Sequence, residues 1–281
     1  MRQYLYLGIA VVVLLAISVT LRMNKGVCPF MPFTQLKKSV SITKPDDKGK
    51  LLNESLKLLK ARKDREAMVN FEMILFAQPE NLKALWGKAE VLRRARNFKE
   101  SEKILNRILQ KDPDSAASLI SLSYIRYKDE ELDEALKLVK HVLKNKGLDK
   151  EDEAMANLMM GTINSRRSKK GWFLDKIIYG TQIKSYFVKA AELAPDLPEA
   201  HLGLGSFYLL APGFAGGNLE EAEKELQIAA AIAPDFATVQ ARLAQYYLKK
   251  NDLGKFDYYL KRAKTLDPDN EVAEELSNDK P

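Results

Sequence analysis

The stretch whose composition comes nearest to a ligand-binding loop is PGFAGG, residues 212–217. Closely spaced glycines can cradle a phosphate because their backbone N–H groups approach it without hindrance. Such a loop follows a strand and, in the Walker A form, is followed by a lysine. Here a helical pattern precedes Pro212, and NLEE follows at residues 218–221. The glycines are therefore predicted to connect two helices and not to bind a nucleotide.

Other candidate catalytic or metal-binding residues are scarce. Cys28 is the single cysteine, so the chain can form neither an intramolecular disulfide nor a multi-cysteine metal site. The two histidines, His141 and His201, have no motif partner, and no HExxH, GxSxG or P-loop motif is present. We expect no catalytic residue, no metal and no cofactor, and we predict that the protein is not an enzyme.

Basic and aromatic residues meet in residues 165–180, SRRSKKGWFLDKIIYG. The residues of interest are Arg166, Arg167, Lys169, Lys170, Trp172 and Phe173. Two interpretations are open: the segment contacts a membrane interface or a partner, or it extends a helix whose aromatic side chains pack on neighbouring helices. Phe214 likewise either contacts a partner or folds back as a plug over its repeat.

The net charge of +7 gives little support to a nucleic-acid partner. Residues 1–47 hold six basic and two acidic residues, which leaves an excess of three positive charges on the other 234 residues. Nucleic-acid-binding domains concentrate their basic residues on one face. We therefore expect no nucleic-acid partner.

Residues 4–21, YLYLGIAVVVLLAISVTL, carry no charge and are just long enough to span a bilayer as a helix. We predict a transmembrane anchor at residues 1–21. The alternative is a cleaved signal peptide with its cleavage site near Ser18. The anchor is favoured because the apolar run continues to Leu21.

Orientation follows from the charges that flank this segment. Only Arg2 precedes it, whereas the juxtamembrane linker predicted at residues 22–47 is basic and contains three prolines. The positive-inside rule therefore predicts a single-pass membrane protein whose main domain faces the cytoplasm. An extracytoplasmic or periplasmic location stays open because long domains are translocated despite such charges.

From about residue 48 the sequence repeats with a fixed period. Pro79 and Pro113 are 34 residues apart, and so are Pro234 and Pro268. This length accommodates two short helices and two turns. The period predicts an all-α solenoid of about six helix pairs at residues 48–281, with insertions near 165–180 and 212–217 and a polar C-terminal cap.

Alignment of the repeats on these prolines reveals two recurring places. The eighth place is always small: Ser55, Ala89, Ser123, Gly161, Gly205 and Ala244. The twenty-fourth is always large and apolar: Phe71, Leu105, Val139, Phe187, Leu226 and Leu260. We predict that these two places face each other within each helix pair, because a small residue lets the helices approach closely.

The pattern resembles that of tetratricopeptide-repeat (TPR) proteins. The family signature is matched best by Leu204, Gly205, Tyr208, Ala222, Leu226 and Pro234, with His201 in the place of its tryptophan. The resemblance covers about residues 48–270. It implies a superhelix whose concave face, lined by the first helix of each pair, holds a peptide or helix of a partner.

The family's groove places can be carried over onto this sequence as a candidate binding groove. The residues are Lys60, Trp86, Glu90, Arg93, Arg94, Tyr124, Tyr127, Lys128 and Arg166. Aromatic residues beside cations would suit an acidic segment with an apolar anchor. The basic residues could equally be solvated helix ends. Leu52 and Leu56 occupy places where chaperone-binding relatives need polar residues, so that type of adaptor is disfavoured.

Two functions are consistent with these features. We predict a membrane-anchored scaffold or adaptor that binds a segment of a partner protein in the concave groove. The alternative is an extracytoplasmic TPR accessory protein that binds a small or lipid-like ligand for a transporter. Membrane topology, and closure of one end of the superhelix by residues 165–180, would distinguish them.

Overall fold

The computed structural model describes residues 45–170 and 173–278, with the side chains of 49–170 and 182–278. The chain divides into units at residues 1–47 and 48–281, and the second is described here. The predicted anchor at residues 4–21, the linker that follows it and Trp172 lie outside the described residues. No helix in the described part is long and apolar enough to cross a membrane.

The described residues form thirteen α-helices and one 3-10 turn, without a strand. The helices are α1 Pro45–Lys60, α2 Asp64–Ala77, α3 Leu82–Arg94, α4 Phe98–Leu109, α5 Ala116–Lys128, α6 Leu132–Lys144, α7 Lys150–Lys170, α8 Phe173–Leu193, α9 Pro198–Leu210, α10 Leu219–Ile232, α11 Ala237–Lys249, α12 Leu253–Leu266 and α13 Glu271–Asn278. Each helix from α2 to α12 packs against the next, and the first helices of successive pairs also pack together from α3 onwards. The all-α solenoid of helix pairs is therefore confirmed.

The structure explains why the eighth place is small. A Cβ atom added to Gly161 would lie 2.5 Å from the ring of Phe187, and one added to Gly205 would lie 2.9 Å from Leu226. Both partners occupy the twenty-fourth place of the same repeat. In the third repeat the small residue is Ser123, whose Oγ donates to the backbone oxygen of Ala135 at 3.0 Å.

The turn inside four helix pairs uses a left-handed residue at the same place. These residues are Arg62, Arg96, Glu130 and Asn251, with φ between 58° and 63°. Glycine or asparagine adopts this conformation most easily, and other residues do so at a cost. Three of the four therefore carry a long charged side chain in a place that local propensity does not favour.

The two predicted insertions differ in structure. Near residue 170 the extra residues lengthen helices, because α7 and α8 each contain 21 residues and only 171–172 separate them. Residues 212–217 form a compact connection around a 3-10 turn at Gly213–Ala215. The plug interpretation of Phe214 is wrong, because its side chain is 96% exposed.

The C-terminal helix α13 covers the end of the sixth repeat. Ala273 and Leu276 are buried in the same apolar cluster as Val239 and Leu260. Asn270 begins this helix by accepting a hydrogen bond from the Ala273 backbone N–H at 3.2 Å. The last repeat therefore does not expose its apolar surface, which a repeat array requires for solubility.

Candidate functional site

The predicted groove residues lie on the first helices of the first four repeats. We call the surface lined by the first helices of the six repeats the inner face. The closest group is formed by Glu90, Arg93 and Arg94 on the last turns of α3. Arg93 Nε lies 2.8 Å from Glu90 Oε2, and Arg94 Nε lies 3.1 Å from Glu90 Oε1. Ser121 Oγ on α5 donates to Glu90 Oε2 at 3.2 Å. Glu90 therefore joins two repeats.

Glu90 is only 5% exposed, yet its surroundings keep it ionised. Burial by itself would raise the pKa of this carboxyl. The charges of Arg93 and Arg94, with the hydrogen bond from Arg93, outweigh burial and hold the pKa of Glu90 well below its usual range. Because Arg93 and Arg94 are themselves nearly buried, the interpretation of these arginines as solvated helix ends is wrong.

Arg94 continues the network towards the other end of the chain. Its Nη1 donates to the backbone oxygen of Leu59 at 2.7 Å and to Asp64 Oδ1 at 2.8 Å. Its Nη2 lies 3.4 Å from Glu199 Oε1 on α9. The second and fifth repeats, 105 residues apart in sequence, are thus linked by an ion pair.

Arg62, the left-handed residue of the first turn, lies on the same carboxylate. Its Nη2 is 2.6 Å from Glu199 Oε1, and its guanidinium lies 3.5 Å from the ring centroid of Phe236. Burial and the neighbouring charge of Arg94 lower the pKa of Arg62 to about 10. Arg62 Nε and Glu199 Oε2 are buried without a hydrogen-bond partner in the described structure. The pair is therefore close but incompletely satisfied.

Further ion pairs join the first three repeats to the second half of the solenoid. Lys60 lies 2.7 Å from Asp196 and 3.5 Å from Glu151, Arg96 lies 2.9 Å from Asp267, and Lys128 pairs with Glu271. We call these contacts the clasp: Lys60, Arg62, Arg94, Arg96 and Lys128 with Glu151, Asp196, Glu199, Asp267 and Glu271. The inner face is thus spanned by the chain's own carboxylates.

The predicted aromatic residues have different environments. Trp86 donates its indole N–H to the Ala117 carbonyl and to Ser121 Oγ, both at 3.1 Å, so it connects helices and is not a free anchor. Tyr124 and Tyr127 are half-buried, with ring centroids 6.0 Å apart. Arg93 lies over the ring of Tyr124 at 4.0 Å. Trp86 is half-buried like the two tyrosines, but its indole N–H is already bonded within the chain.

The basic residues of the 165–180 segment are mostly paired with the third repeat. Arg166 lies 3.5 Å from Glu130 and 5.2 Å over the ring of Tyr127, and Lys170 lies 2.5 Å from Glu130. Arg167 pairs with Asp133, whereas Lys169 is exposed. The Phe173 side chain, like Trp172, lies outside the described residues. Closure of one end by this segment stays a prediction.

Sequence reasoning did not select several residues of this site: Arg62, Arg96, Asp196, Glu199, Asp267 and Glu271. One signal was available for the two arginines in turns. They stand at the place where the chain needs a left-handed residue, and neither is glycine or asparagine. A residue that local conformation disfavours there is a sign that its side chain is used.

In the described part of the chain, no group of three His, Cys, Asp or Glu residues is arranged to hold a metal ion. Two open depressions lie away from the inner face, on α4 around Lys103 and on α12 around Lys261. The site consists of ion pairs and aromatic surface, which are features suited to recognising a charged group.

Comparison with known proteins identifies the repeat. Residues 56–116 and 87–150 match the family model for the tetratricopeptide repeat. Together with the helix-pair solenoid, these matches confirm that the chain contains tetratricopeptide repeats. No curated protein sequence matches the chain.

Several solved structures are similar at low sequence identity. The APC/C hetero-tetramer Cut9–Hcn1 shares 14% sequence identity with this chain and has a TM-score of 0.56; the alignment covers 82% of this chain and 42% of the Cut9–Hcn1 chain. The human IFIT1 dimer with m7Gppp-AAAA shares 18%, covers 76% and 49%, and has a TM-score of 0.54. Pseudomonas aeruginosa pilF shares 16%, covers 84% and 98%, and has a TM-score of 0.46. The likeness with Cut9–Hcn1 and IFIT1 supports the fold alone.

Proposed function

We propose that the protein is an interaction scaffold that holds a carboxylate-bearing segment of a partner protein against its inner face. The observation that carries this proposal is the pairing of two accessible tyrosines with arginines. Arg93 lies over Tyr124 at 4.0 Å, and Arg166 lies over Tyr127 at 5.2 Å. Aromatic rings beside oriented guanidinium groups can bind an apolar anchor and an acidic group of the same segment.

In the clasp, carboxylates of a partner could replace carboxylates of the chain itself. Lys60 is paired with Asp196 and Lys128 with Glu271, whose side chains are 74% and 63% exposed. Arg96 is paired with Asp267, whose side chain is 28% exposed. Exposed ion pairs contribute little stability, so their partners can be replaced at low cost. A partner's acidic residues would take the places of Asp196 and Glu271 as the segment enters.

A protein partner is favoured over nucleic acid by the carboxylates of the inner face. The fold alone does not decide, since the similar IFIT1 structure contains capped RNA. Glu90, Asp64 and Glu199 lie within the arginine cluster and offset much of its positive charge. A phosphate backbone requires an uncompensated basic surface, whereas a single carboxylate does not.

We propose a binding role and not a catalytic one. Both ring nitrogens of His201 are engaged, Nδ1 with Glu225 at 2.6 Å and Nε2 with the Pro195 carbonyl at 2.9 Å. His141 lies on the exposed surface, 2.8 Å from Asp114. Neither histidine is next to a nucleophile that it could activate, which supports a scaffold.

We further propose that residues 4–21 anchor the scaffold in a membrane, with residues 48–281 in the cytoplasm. The uncharged run and the basic residues that follow it support this arrangement. Extraction of membranes at alkaline pH should leave the protein in the pellet, whereas a cleaved product would be released. Protease added to intact cells should leave residues 48–281 intact; their degradation would overturn the orientation.

The binding proposal is tested with synthetic peptides and the full chain. Each peptide carries the same aromatic anchor and either acidic residues or the matching amides. We expect the acidic peptides to bind more tightly than the amide peptides. Their affinity should fall as salt is added. Tyr124→Ala on the inner face should reduce their affinity, whereas Tyr258→Ala, at a side chain 56% exposed outside the groove set, should not. Equal binding of the amide peptides would refute the proposal.

A further inference from the structure

Arg242, on α11, differs from the arginines described so far. Its Nη1 donates to Gln245 Oε1 at 2.6 Å, and this is its one hydrogen bond in the described structure. No carboxylate of the described residues lies within 4 Å of it, whereas Arg62, Arg93 and Arg94 each have one. A guanidinium has five N–H donors, so most of those of Arg242 are left for another acceptor.

The surroundings place this guanidinium on the inner face. Tyr127 on α5, from the third repeat, and Glu275 on α13 are close enough to act on its charge. Burial nevertheless dominates and lowers the pKa of Arg242 below its ordinary value. Its side chain is half-buried and not sealed, and none of its nitrogens is among the fully buried atoms without a partner. The free donors can therefore be reached from solvent.

A half-buried cation without a carboxylate partner weakens a fold, because it has lost hydration and gained no ion pair. Each of the other arginines on the inner face receives a carboxylate from the chain itself. We propose that Arg242 is the docking point for one carboxylate of the partner's acidic segment, bound between α5 and α11 beside Tyr127. This inference rests on the proposed function and extends it, since the ligand would reach Arg242 without displacing any carboxylate of the clasp.

The chemistry of the site favours a carboxylate over a phosphate. Arg242 can present two parallel N–H groups to the two oxygens of a carboxylate. Glu275 lies close enough to act on the same charge, and Glu271 precedes it by one turn of α13. A group with a single negative charge is repelled less by these acids than a dianionic phosphate.

The site is tested without the partner by titrating the full chain with N-acetyl-aspartate amide and following the side-chain Nε–Hε signal of Arg242 by NMR. We expect this signal to shift in a saturable manner while that of Arg262, on α12, does not. Arg262 donates to the Pro234 carbonyl at 3.1 Å and serves as the matched control. An unmoved Arg242 signal would overturn the proposal. A larger shift with inorganic phosphate would overturn the assignment to a carboxylate.

Substitution separates a binding arginine from a structural one. Arg242→Met should weaken the acidic peptides by about tenfold or more, and Arg242→Lys should have an intermediate effect because lysine cannot form two parallel bonds. The free Arg242→Met protein should unfold at a higher temperature than the original, since an unpaired cation has been removed. A lower unfolding temperature would assign Arg242 a structural role and overturn the proposal.

The two proposals can fail separately. If the acidic peptides bind through Tyr124 and Arg242→Met leaves their affinity unchanged, the scaffold stands and the Arg242 site is refuted. If the Arg242 signal responds to N-acetyl-aspartate amide but peptides bind no better than their amide counterparts, the site exists and the proposed function is refuted.

Discussion

At the scale of single residues, Glu90 organises the inner face. It accepts hydrogen bonds from Arg93, Arg94 and Ser121, and it is almost completely removed from water. Because its carboxylate holds two arginines in place, the orientation of Tyr124 depends on it through Arg93. Sequence reasoning placed Glu90 in a groove open to a partner, whereas the structure gives it an internal role.

Replacing Glu90 with glutamine should therefore strongly destabilise the folded protein. Removal of one partner from a buried ion pair leaves the other charges uncompensated and costs about 3–5 kcal/mol. Urea denaturation of the Glu90→Gln protein should show a loss of stability of this order. Glu80→Gln is the control, because Glu80 forms exposed ion pairs with Arg107 and Lys111, and it should change stability little. Similar effects of both substitutions would contradict the role of Glu90.

Asp152, in the first turn of α7, should give the protein a measurable pH dependence. Burial, with the charges of Asp149 and Glu151, raises the pKa of Asp152 to about 6. Since the folded protein binds this proton more tightly than the unfolded chain, protonation favours folding. The ionised Asp152 carboxylate therefore lowers the stability of the folded protein above pH 6. This loss of stability disappears as the pH falls towards the pKa of Asp in the unfolded chain, about 3.9.

The substitution Asp152→Asn removes this titration. The unfolding temperature of the variant, relative to that of the original protein, should be higher at pH 8 than at pH 4. Thermal unfolding followed across this pH range measures the difference directly, and contributions from other carboxyl groups cancel in the comparison. A constant difference from pH 4 to pH 8 would mean that Asp152 does not carry the shift.

At the scale of elements, the connection at 212–217 is a compact turn that requires glycine at Gly216, where φ is 95°, and at Gly217, where a side chain would clash with the backbone. The N–H groups of Ala215 and Gly217 both donate to the Pro212 carbonyl, at 2.9 and 3.0 Å. A Cβ atom at Gly217 would lie 1.9 Å from the backbone oxygen of Ala211, whereas one at Gly213 would meet nothing within 4 Å. The loop therefore presents Phe214 to solvent in a defined position.

This difference predicts opposite outcomes for two similar substitutions. Gly217→Ala should destabilise the protein by about 1–3 kcal/mol, because the backbone must shift to relieve the clash. Gly213→Ala should be neutral or slightly stabilising, because it restricts the unfolded chain without strain in the fold. Chemical denaturation of the two variants provides the test. Equal destabilisation would show that the turn does not have this geometry.

The clasp should make the solenoid sensitive to salt. The first three repeats contact the second half through charged side chains, and the most extensive helix packing between described elements is between neighbours and near neighbours. Salt at about 1 M reduces the range of such interactions to about 3 Å. The radius of gyration measured by X-ray scattering should therefore increase with salt, and Arg96→Gln should lower the salt needed.

Arg107→Gln is the matched control for this experiment. Arg107 also forms an ion pair, but with Glu80 in the turn between the first and second repeats and not across the inner face. Its removal should leave the salt dependence of the radius of gyration unchanged. If Arg96→Gln behaved in the same way as Arg107→Gln, or if the dimensions did not respond to salt, the clasp would not hold the superhelix closed.

The repeat could be predicted from sequence because its cause is local. A small residue such as Gly205 must face a large one such as Leu226 in every helix pair, so the pattern recurs with the period of the fold. The ion pair of Arg62 with Glu199 joins residues 137 positions apart and leaves no periodic signature. The pairing of the predicted groove residues with the chain's own carboxylates was therefore not foreseen, and their role in binding stays a prediction.

At the scale of the whole molecule, the described solenoid combines a series of apolar clusters along its helix pairs with an inner face that the ion pairs of the clasp cross. Repeat proteins are held together by contacts between neighbours, so bridges between distant repeats limit how far the superhelix opens. A partner that replaces these bridges would change the shape of the array as it binds. We infer that binding and opening are coupled in this protein.

Photo-crosslinking tests directly whether the inner face is the surface that binds the partner. A photo-reactive amino acid is placed at Tyr124 on the inner face, or at the exposed position Tyr258 as a control, and intact cells are irradiated. We expect a dominant protein adduct at Tyr124 that is absent at Tyr258 and lost in the Arg242→Met variant. A lipid or small-molecule adduct at Tyr124, or equal protein adducts at both positions, would contradict it.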